Sequence, residues 1–143
     1  MSKRSSKLLL EDILESIHHI QQYTNDISFE MFAKKGMLYE ATLYNFGIIG
    51  EAIAQIPSMY KVKHPEIEWM KIKNYRNILI HEYFGVNDLI VWDTIKIDLP
   101  DLKNSIQQLR KLQRRLIHFF FFCQQQTKFL RIEVLTFKKL TSF

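Results

Sequence analysis

The rarity of helix-breaking residues limits this fold more than any other feature of the sequence. Only four glycines and three prolines occur in 143 residues. They separate stretches in which apolar residues recur three or four positions apart, which is the spacing of a buried helix face. Gly36, Pro57, Gly85 and Pro100 stand where such stretches end or begin. The pattern predicts a helix-rich, all-α globule.

Three segments define this helical reading. A first helix is predicted over residues 6–24, and a long apolar helix over residues 37–56 ends at Pro57. Asp88 is expected to cap a helix over residues 89–97. That last segment is rich in β-branched residues and also allows a strand, but the cap and the helical neighbours favour a helix.

The chain is long enough for one domain with its own core. We predict that residues 1–116 form this domain and that residues 117–143 form a basic, aromatic C-terminal extension. The extension begins with four consecutive phenylalanines, residues 119–122. Because an exposed aromatic run promotes aggregation, we expect them to be covered by the body or by a second chain.

The location of the protein is constrained by two further features. No apolar run approaches the length of a membrane-spanning helix, so no membrane partner is expected. Cys123 is the single cysteine, which excludes an internal disulfide framework and a cysteine-based zinc site. Both features fit a cytoplasmic protein.

Polar groups that can do chemistry are concentrated in residues 74–84, inside an apolar setting. On a helix with about 100° per residue, Arg76 lies within about 20° of Tyr83, and Asn77 lies about 40° from His81. Glu82 is the carboxylate of the same stretch. A buried hydrogen-bond network that fixes packing explains this cluster as well as a functional site does.

A possible partner for Arg76 lies on the long apolar helix. Glu51 is the only charged residue in the second half of that helix, and a buried carboxylate needs a partner. Arg76 is the expected partner, most simply as a structural ion pair. Gly47 and Gly50 would allow another helix to approach closely.

Arg76 and His81 together suit RNA cleavage without a metal. An imidazole can take the proton from a 2′-hydroxyl, and a guanidinium can bind the phosphoryl oxygens and stabilise their developing charge. One histidine and one arginine make a sparse site. Two copies related by a two-fold axis would supply two of each, so a site at a dimer interface is chemically attractive.

Charge is unevenly divided along the chain. Residues 103–143 carry nine basic and one acidic side chain, whereas residues 1–102 carry eleven basic and fourteen acidic ones. A basic segment of this kind attracts RNA, DNA or an anionic membrane. A basic face in contact with solvent is the more ordinary interpretation. A nucleic-acid-binding or membrane-binding protein driven by residues 103–143 therefore remains one alternative.

The sequence around the polar cluster resembles that of the HEPN superfamily, in its HepT-like toxin branch. Residues 76–83 match the family motif, an arginine, a polar residue, three further residues, then histidine and a tyrosine two positions later. Similar residues also occur in the order that this branch shows, in the segments 49–52, 65–69, 86–88, 91–92 and 99–102. The resemblance covers roughly residues 8–112.

The resemblance implies an antiparallel helical bundle that dimerises and cleaves RNA without a metal or other cofactor. In that reading Arg76 and His81 are catalytic, Asn77 orients them, and Glu51 and Glu82 support the site. Toxins of this branch are paired with an MNT-type nucleotidyltransferase antitoxin, and Tyr83 corresponds to the tyrosine that accepts AMP.

Residues 117–143 depart from the family, whose members end soon after the helix that begins near Pro100. They could form a dimer or partner contact or an arm that holds RNA. The other reading of the whole chain is a non-catalytic dimeric interaction module that partners the nucleotidyltransferase. In that module the motif would be a buried structural network.

Overall fold

The computed structural model describes residues 4–81 and 85–140, without the side chains of Ile80, His81, Cys123 and residues 125–140. These residues form α-helices and one π-helical turn, which confirms the predicted all-α class. The helices are α1 (Ser6–Thr24), α2 (Phe29–Phe32), α3 (Met37–Gln55), α4 (Ser58–Lys63), α5 (Trp69–His81), α6 (Asp88–Asp93) and α7 (Leu99–Leu140). The π-helical turn, Thr94–Asp98, connects α6 to α7.

The described chain divides into two compact units, residues 1–108 and 109–143. The division predicted from the sequence, 1–116 and 117–143, stays a prediction.

The core of the first unit forms around α3, which packs against both α1 and α5. One face of α1 is apolar at helical spacing and is almost completely buried; it carries Leu9, Leu10, Ile13, Ile17 and Ile20. From α3, Ile49 and Ile53 are equally buried. Each such aliphatic side chain contributes about 1.5–3 kcal/mol through its removal from water. This burial fixes the position of α3, the helix on which the site is built.

Two contacts position α5 against the core. At its start, the indole nitrogen of Trp69 donates to the carbonyl of His64 at 2.8 Å, and the ring is 7% exposed. In its middle, the Tyr75 ring meets Phe46 of α3 edge-on, with 5.3 Å between ring centroids. Both residues of α5, Trp69 and Tyr75, are aromatic. Rotation of α5 about its axis would therefore expose large apolar areas to water.

Helix α6 starts one residue earlier than predicted. The Asn87 side chain accepts the backbone N–H of Leu89 at 2.9 Å and therefore caps the helix. Asp88, the predicted cap, instead accepts from the Tyr39 hydroxyl at 2.8 Å and pairs with Lys35 at 3.4 Å. The prediction of Asp88 as the cap was wrong because these distant partners occupy its carboxylate.

The segment that follows is helical, as favoured, but with a π-helical turn that the sequence did not predict. Lys96 in this turn donates to the backbone carbonyl of Thr24 at 2.9 Å, and its ammonium lies 4.4 Å from the Trp92 ring centroid. The turn thus ties the end of α1 to α6. Helix α7 follows directly, with Pro100 in its first turn, where the missing N–H has no helical partner to lose.

The second unit consists of the rest of α7, helical through Leu140. Phe119, Phe120, Phe121 and Phe122 are 62%, 70%, 64% and 60% exposed. The expectation that the body or a second chain covers them stays a prediction. Among the described residues, no helix is long and apolar enough to cross a membrane.

Candidate functional site

Helices α3 and α5 approach each other closely at Gly50 and Arg76. A Cβ atom at Gly50 would collide with Cβ and Cγ of Arg76, and Cα of Arg76 would lie 3.6 Å from it. Gly47, the other glycine of α3, has nothing within 4 Å of the same position. The absence of a side chain at Gly50 is therefore what lets Arg76 sit directly against α3.

Two residues hold the Arg76 guanidinium in a fixed orientation, and a third supports one of them. Nη2 donates to Oε2 of Glu51 at 2.7 Å, and Nη1 donates to Oδ1 of Asn77 at 3.0 Å. Gln55, one turn along α3, donates to the other Glu51 oxygen at 3.2 Å. The expected pairing of Glu51 with Arg76 is thus present. Charge-assisted bonds of this kind restrict a long side chain to one geometry.

Glu51 is not the buried carboxylate that its apolar surroundings suggested. Its side chain is 52% exposed, and that of Arg76 is 29% exposed. An ion pair this open to water contributes at most about 1 kcal/mol to folding. Its main effect is to orient the guanidinium. The Nε of Arg76, in contrast, is buried and has no hydrogen-bond partner among the described residues.

The Arg76–Glu51 pair lies in the wall of an open groove on the first unit. The groove has a volume of about 560 Å³ and is also lined by Tyr44, Gly47 and Leu79. Tyr44 lies seven residues before Glu51 and therefore on the same face of α3, and it is 71% exposed. The groove therefore joins an arginine and a carboxylate to an accessible aromatic ring.

The structure brings together three of the six predicted site residues: Arg76, Asn77 and Glu51. His81 is the last residue of α5, about 7.5 Å along the helix axis from Arg76, and its side chain lies outside the described part. Glu82 and Tyr83 lie wholly outside the described residues. The roles of all six therefore remain predictions.

Two contributors to the groove were missed by the sequence reasoning. Tyr44 belongs to the predicted apolar helix over residues 37–56, yet it is exposed at the groove. Gln55 was not considered, although its position four residues after Glu51 places the two side chains together on one helix face. That spacing was the available signal for Gln55. No sequence signal distinguished Tyr44 from its buried neighbours.

Tyr75, the neighbour of Arg76, faces a different cavity. This cavity has a volume of about 280 Å³ and is also lined by Phe46, Thr94 and Asp98. Burial raises the pKa of Tyr75 to about 12, an effect that an interaction with Thr94 reduces and the charge of Asp98 reinforces. At the cavity rim, the pKa of Lys71 is raised, first by its hydrogen bond to Glu68. Tyr75 therefore serves packing and stays protonated at neutral pH.

The described residues contain no group of three or more histidine, cysteine, aspartate or glutamate side chains that could hold a metal ion. The groove lining includes two arginines, Arg4 and Arg76, and three carboxylates, those of Asp12, Glu40 and Glu51. A guanidinium at the groove wall can bind an anion such as a phosphodiester.

Comparison with known proteins matches residues 13–109 to the family described as ribonuclease HepT-like. A protein of Thermococcus cleftensis named "Probable ribonuclease HepT" is 44% identical over 109 residues, which cover 76% of this chain and 99% of that protein. A candidate RNase of Methanocaldococcus jannaschii is 37% identical over 75% of this chain and 98% of its own length. A candidate RNase of Caldanaerobacter subterraneus is 36% identical, with coverages of 73% and 94%.

No solved structure matches the chain. The relatives are covered almost completely, whereas the family match stops at residue 109, so the greater part of the second unit lies outside it. The match includes α3 and α5 with the Arg76–Glu51 pair. The chain belongs to the ribonuclease HepT-like family of HEPN-type proteins.

Proposed function

We propose that this chain is the toxin of a cytoplasmic toxin–antitoxin pair and acts as a metal-independent endoribonuclease. Its site combines Arg76 and His81 from two protomers, with Asn77, Glu51 and Glu82 in support. The ribonuclease family supports an RNA substrate. The observation that carries the proposal is the geometry of Arg76, a cation fixed by Gly50, Glu51 and Asn77 at the wall of an open groove.

In this mechanism Arg76 binds the scissile phosphate. Its terminal nitrogens already hold oxygen acceptors at 2.7 and 3.0 Å, which is the geometry a phosphate oxygen would adopt. Because Glu51 is half exposed, a phosphate can replace or share its place without opening the core. Stabilising the charge that develops on the phosphoryl oxygens is worth a factor of about 10² to 10³ in rate.

His81 moves the protons. The imidazole of one protomer takes the proton of the RNA 2′-hydroxyl, and the 2′-oxygen attacks the adjacent phosphorus. The bond from phosphorus to the 5′-oxygen breaks, and the imidazolium of the second protomer protonates that oxygen. The products are a 2′,3′-cyclic phosphate and a 5′-hydroxyl, with no water consumed. Neither step needs a metal, because the side chains supply the base, the acid and the cation.

An exposed aromatic ring of the groove supports the dimer. Tyr44 on α3 lines the groove and is 71% exposed. A two-fold interface uses the same patch on both copies, so this ring would be covered while each copy adds its motif to the shared cleft.

The experiment that tests the proposal is cleavage of end-labelled RNA in excess chelator, with analysis of the new ends. We expect cleavage to persist and to leave 2′,3′-cyclic phosphate and 5′-hydroxyl ends. Ends bearing a 5′-phosphate, produced only after a divalent metal is added, would contradict the mechanism.

A mixing experiment tests the shared site. Wild-type and His81→Ala chains are co-expressed at varied ratios, and dimer mass is checked. If both histidines serve one site, activity follows the square of the wild-type fraction and falls to about a quarter in an equal mixture. Activity that falls only in proportion, to about a half, would mean that each protomer works alone.

Regulation by modification of Tyr83 is part of the proposal. An MNT-type nucleotidyltransferase would transfer AMP to this hydroxyl, and the added phosphate and bulk would oppose RNA near Arg76. Co-expression with such a partner should raise the intact mass by AMP units and abolish cleavage, while Tyr83→Phe should keep its mass and its activity. An unmodified mass together with lost activity would refute this route.

The non-catalytic interaction module is the second candidate, and one observation favours it. Both terminal nitrogens of Arg76 are already engaged within the chain, as a purely structural network requires. That reading predicts that His81→Ala loses helicity or dimer mass and that the unmodified wild type does not cut RNA. Retained fold with lost cleavage would exclude it.

A further inference from the structure

The surface of α7 beyond the family match separates into two arcs. At about 100° per residue, Lys111, Arg114, Arg115, His118, Phe121 and Phe122 fall within an arc about 120° wide. We call these six residues the cationic face. Another arc carries Leu112, Leu116, Phe119 and Phe120. Residues 111 to 122 span about 17 Å along the axis, enough to follow an extended ligand.

All six side chains of the cationic face are exposed. Lys111, Arg114 and Arg115 form no ion pair with any described residue. Residues 103–143 contain a single acidic residue, Glu133, so the charge of this segment is not balanced locally. Three unpaired cations on one helix face attract a polyanion strongly.

The phenylalanines exclude a single flat partner. Four consecutive helical residues point in directions about 100° apart, so no bilayer surface and no single helix can cover all four. Phe121 and Phe122 lie among the cations, where a helix lying on a membrane would leave them in water. Exposed aromatic rings interleaved with cations are the arrangement that binds single-stranded nucleic acid, because bases stack on the rings while phosphates meet the charges.

We propose that the cationic face binds single-stranded RNA and holds the substrate for the ribonuclease. This inference rests on the proposed function for the choice of RNA, and its binding step is independent of cleavage. The need for such a surface follows from the charge distribution: residues 1–102 carry more acidic than basic side chains, and this net charge repels RNA. The face lies beyond residue 109, where the family match ends.

The test measures binding of a fluorescent 2′-O-methyl oligouridine to the full-length protein by anisotropy at several salt concentrations. This probe lacks the 2′-hydroxyl nucleophile and cannot be cleaved. In the triple variant Lys111→Gln/Arg114→Gln/Arg115→Gln, the slope of log K against log salt should decrease by about 2, since each phosphate contact to a single strand contributes about 0.7. An unchanged slope would overturn the proposal.

A matched pair of variants separates stacking from general hydrophobicity. Phe121→Ala/Phe122→Ala should weaken binding at least about tenfold, and Phe121→Tyr/Phe122→Tyr should restore it, because tyrosine also stacks. Phe119→Ala/Phe120→Ala removes two equally exposed rings outside the cationic face and should change affinity less than about twofold. Equal losses in the two alanine variants, with helicity retained, would contradict the assignment of the face.

Two further outcomes are distinguishable. Binding to anionic lipid vesicles without binding to the oligonucleotide would overturn the proposal in favour of a membrane contact. The protein could instead bind the oligonucleotide strongly through the cationic face and yet cut no RNA. That result would support the assignment of the cationic face and would count only against the proposed ribonuclease function.

Discussion

Apolar and cationic side chains lie in opposite environments in two regions of the molecule. One region is the contact between α3 and α5, and the other is the exposed end of α7. At α3–α5, Ile49 is 1% exposed and Leu79 is 5% exposed, and their burial determines where the neighbouring Arg76 points. Along the cationic face, side chains of the same classes lie in solvent. The first arrangement holds one cation through hydrogen bonds to Glu51 and Asn77, as the proposed chemistry on a phosphate requires. The second offers several cations to a ligand whose position along the face is not fixed.

This difference predicts which substitutions matter. At Gly50, a single added methyl group should be harmful, because it would collide with the side chain of Arg76. On the cationic face, a single substitution should change RNA binding little, because the cations and aromatic rings of the face bind RNA together.

Gly50→Ala should be the most harmful small change in the chain. The new Cβ would collide with Cβ and Cγ of Arg76, so α5 must move or the arginine must leave its position. We expect a loss of about 1–3 kcal/mol in the free energy of unfolding and about 10²-fold in cleavage rate. Chemical denaturation and RNA cleavage assays measure the two effects.

Gly47→Ala is its matched control on the same helix. Nothing lies within 4 Å of the added Cβ, so the change should stabilise α3 by up to about 1 kcal/mol and leave Arg76 in its position. Equal behaviour of the two variants would show that close approach at Gly50 does not position Arg76.

Neutralising the cationic face should affect substrate binding and not the chemical step. For Lys111→Gln/Arg114→Gln/Arg115→Gln, we expect KM for single-stranded RNA to rise at least about tenfold with kcat unchanged. Steady-state cleavage at low salt measures both constants. A fall in kcat with constant KM would instead show that these residues take part in catalysis. The functional difference between the α3–α5 contact and the cationic face would then not hold.

Tyr75→Phe tests the packed side of α5 through the pH dependence of the free energy of unfolding. The folded-state pKa of Tyr75, about 12, lies above its value of about 10 in an unfolded chain. Its contribution to stability is therefore complete below pH 10 and is lost as the pH rises from 10 through 12. At pH 11 the wild type should already have lost about 1 kcal/mol from this group, and the phenylalanine variant should be spared that loss. Thermal melts of both proteins at pH 8 and pH 11 make the comparison; identical changes would contradict it.

Glu51→Gln should have the smallest effect on stability. The pair with Arg76 is half exposed, so the free energy of unfolding should change by less than about 1 kcal/mol. Glutamine keeps the acceptor oxygen but loses the charge, which weakens the hydrogen bond by roughly half. We expect kcat to fall by no more than about tenfold, and a loss of folding would point to a structural network instead.

Much of the fold was predictable from local signals. Pro57 ends the long apolar helix because it cannot continue the hydrogen bonding of α3, and the α1 boundaries follow the apolar spacing. The cap at Asn87 was missed because tertiary partners, Tyr39 and Lys35, engage Asp88. The π-helical turn was also missed, since no local sequence rule specifies its hydrogen bonds.

The candidate site was predictable only in part. Arg76, Asn77 and Glu51 come together as their spacing and charge suggested, but the half-exposed state of Glu51 depends on the groove that α3 and α5 create. Tyr44 shows the same limit, because its apolar neighbours on α3 are buried while it faces the groove. Exposure is a property of the packed helices and is not encoded by residue type alone.

The most direct test of the central claim is RNA cleavage in excess chelator by the unmodified wild type and by His81→Ala and Arg76→Ala, each checked for helicity and dimer mass. We predict that the wild type cuts and that each variant, still folded, loses at least about 10²-fold in rate. Folded variants that cut as fast as the wild type would show that neither residue carries the chemistry and would contradict the account.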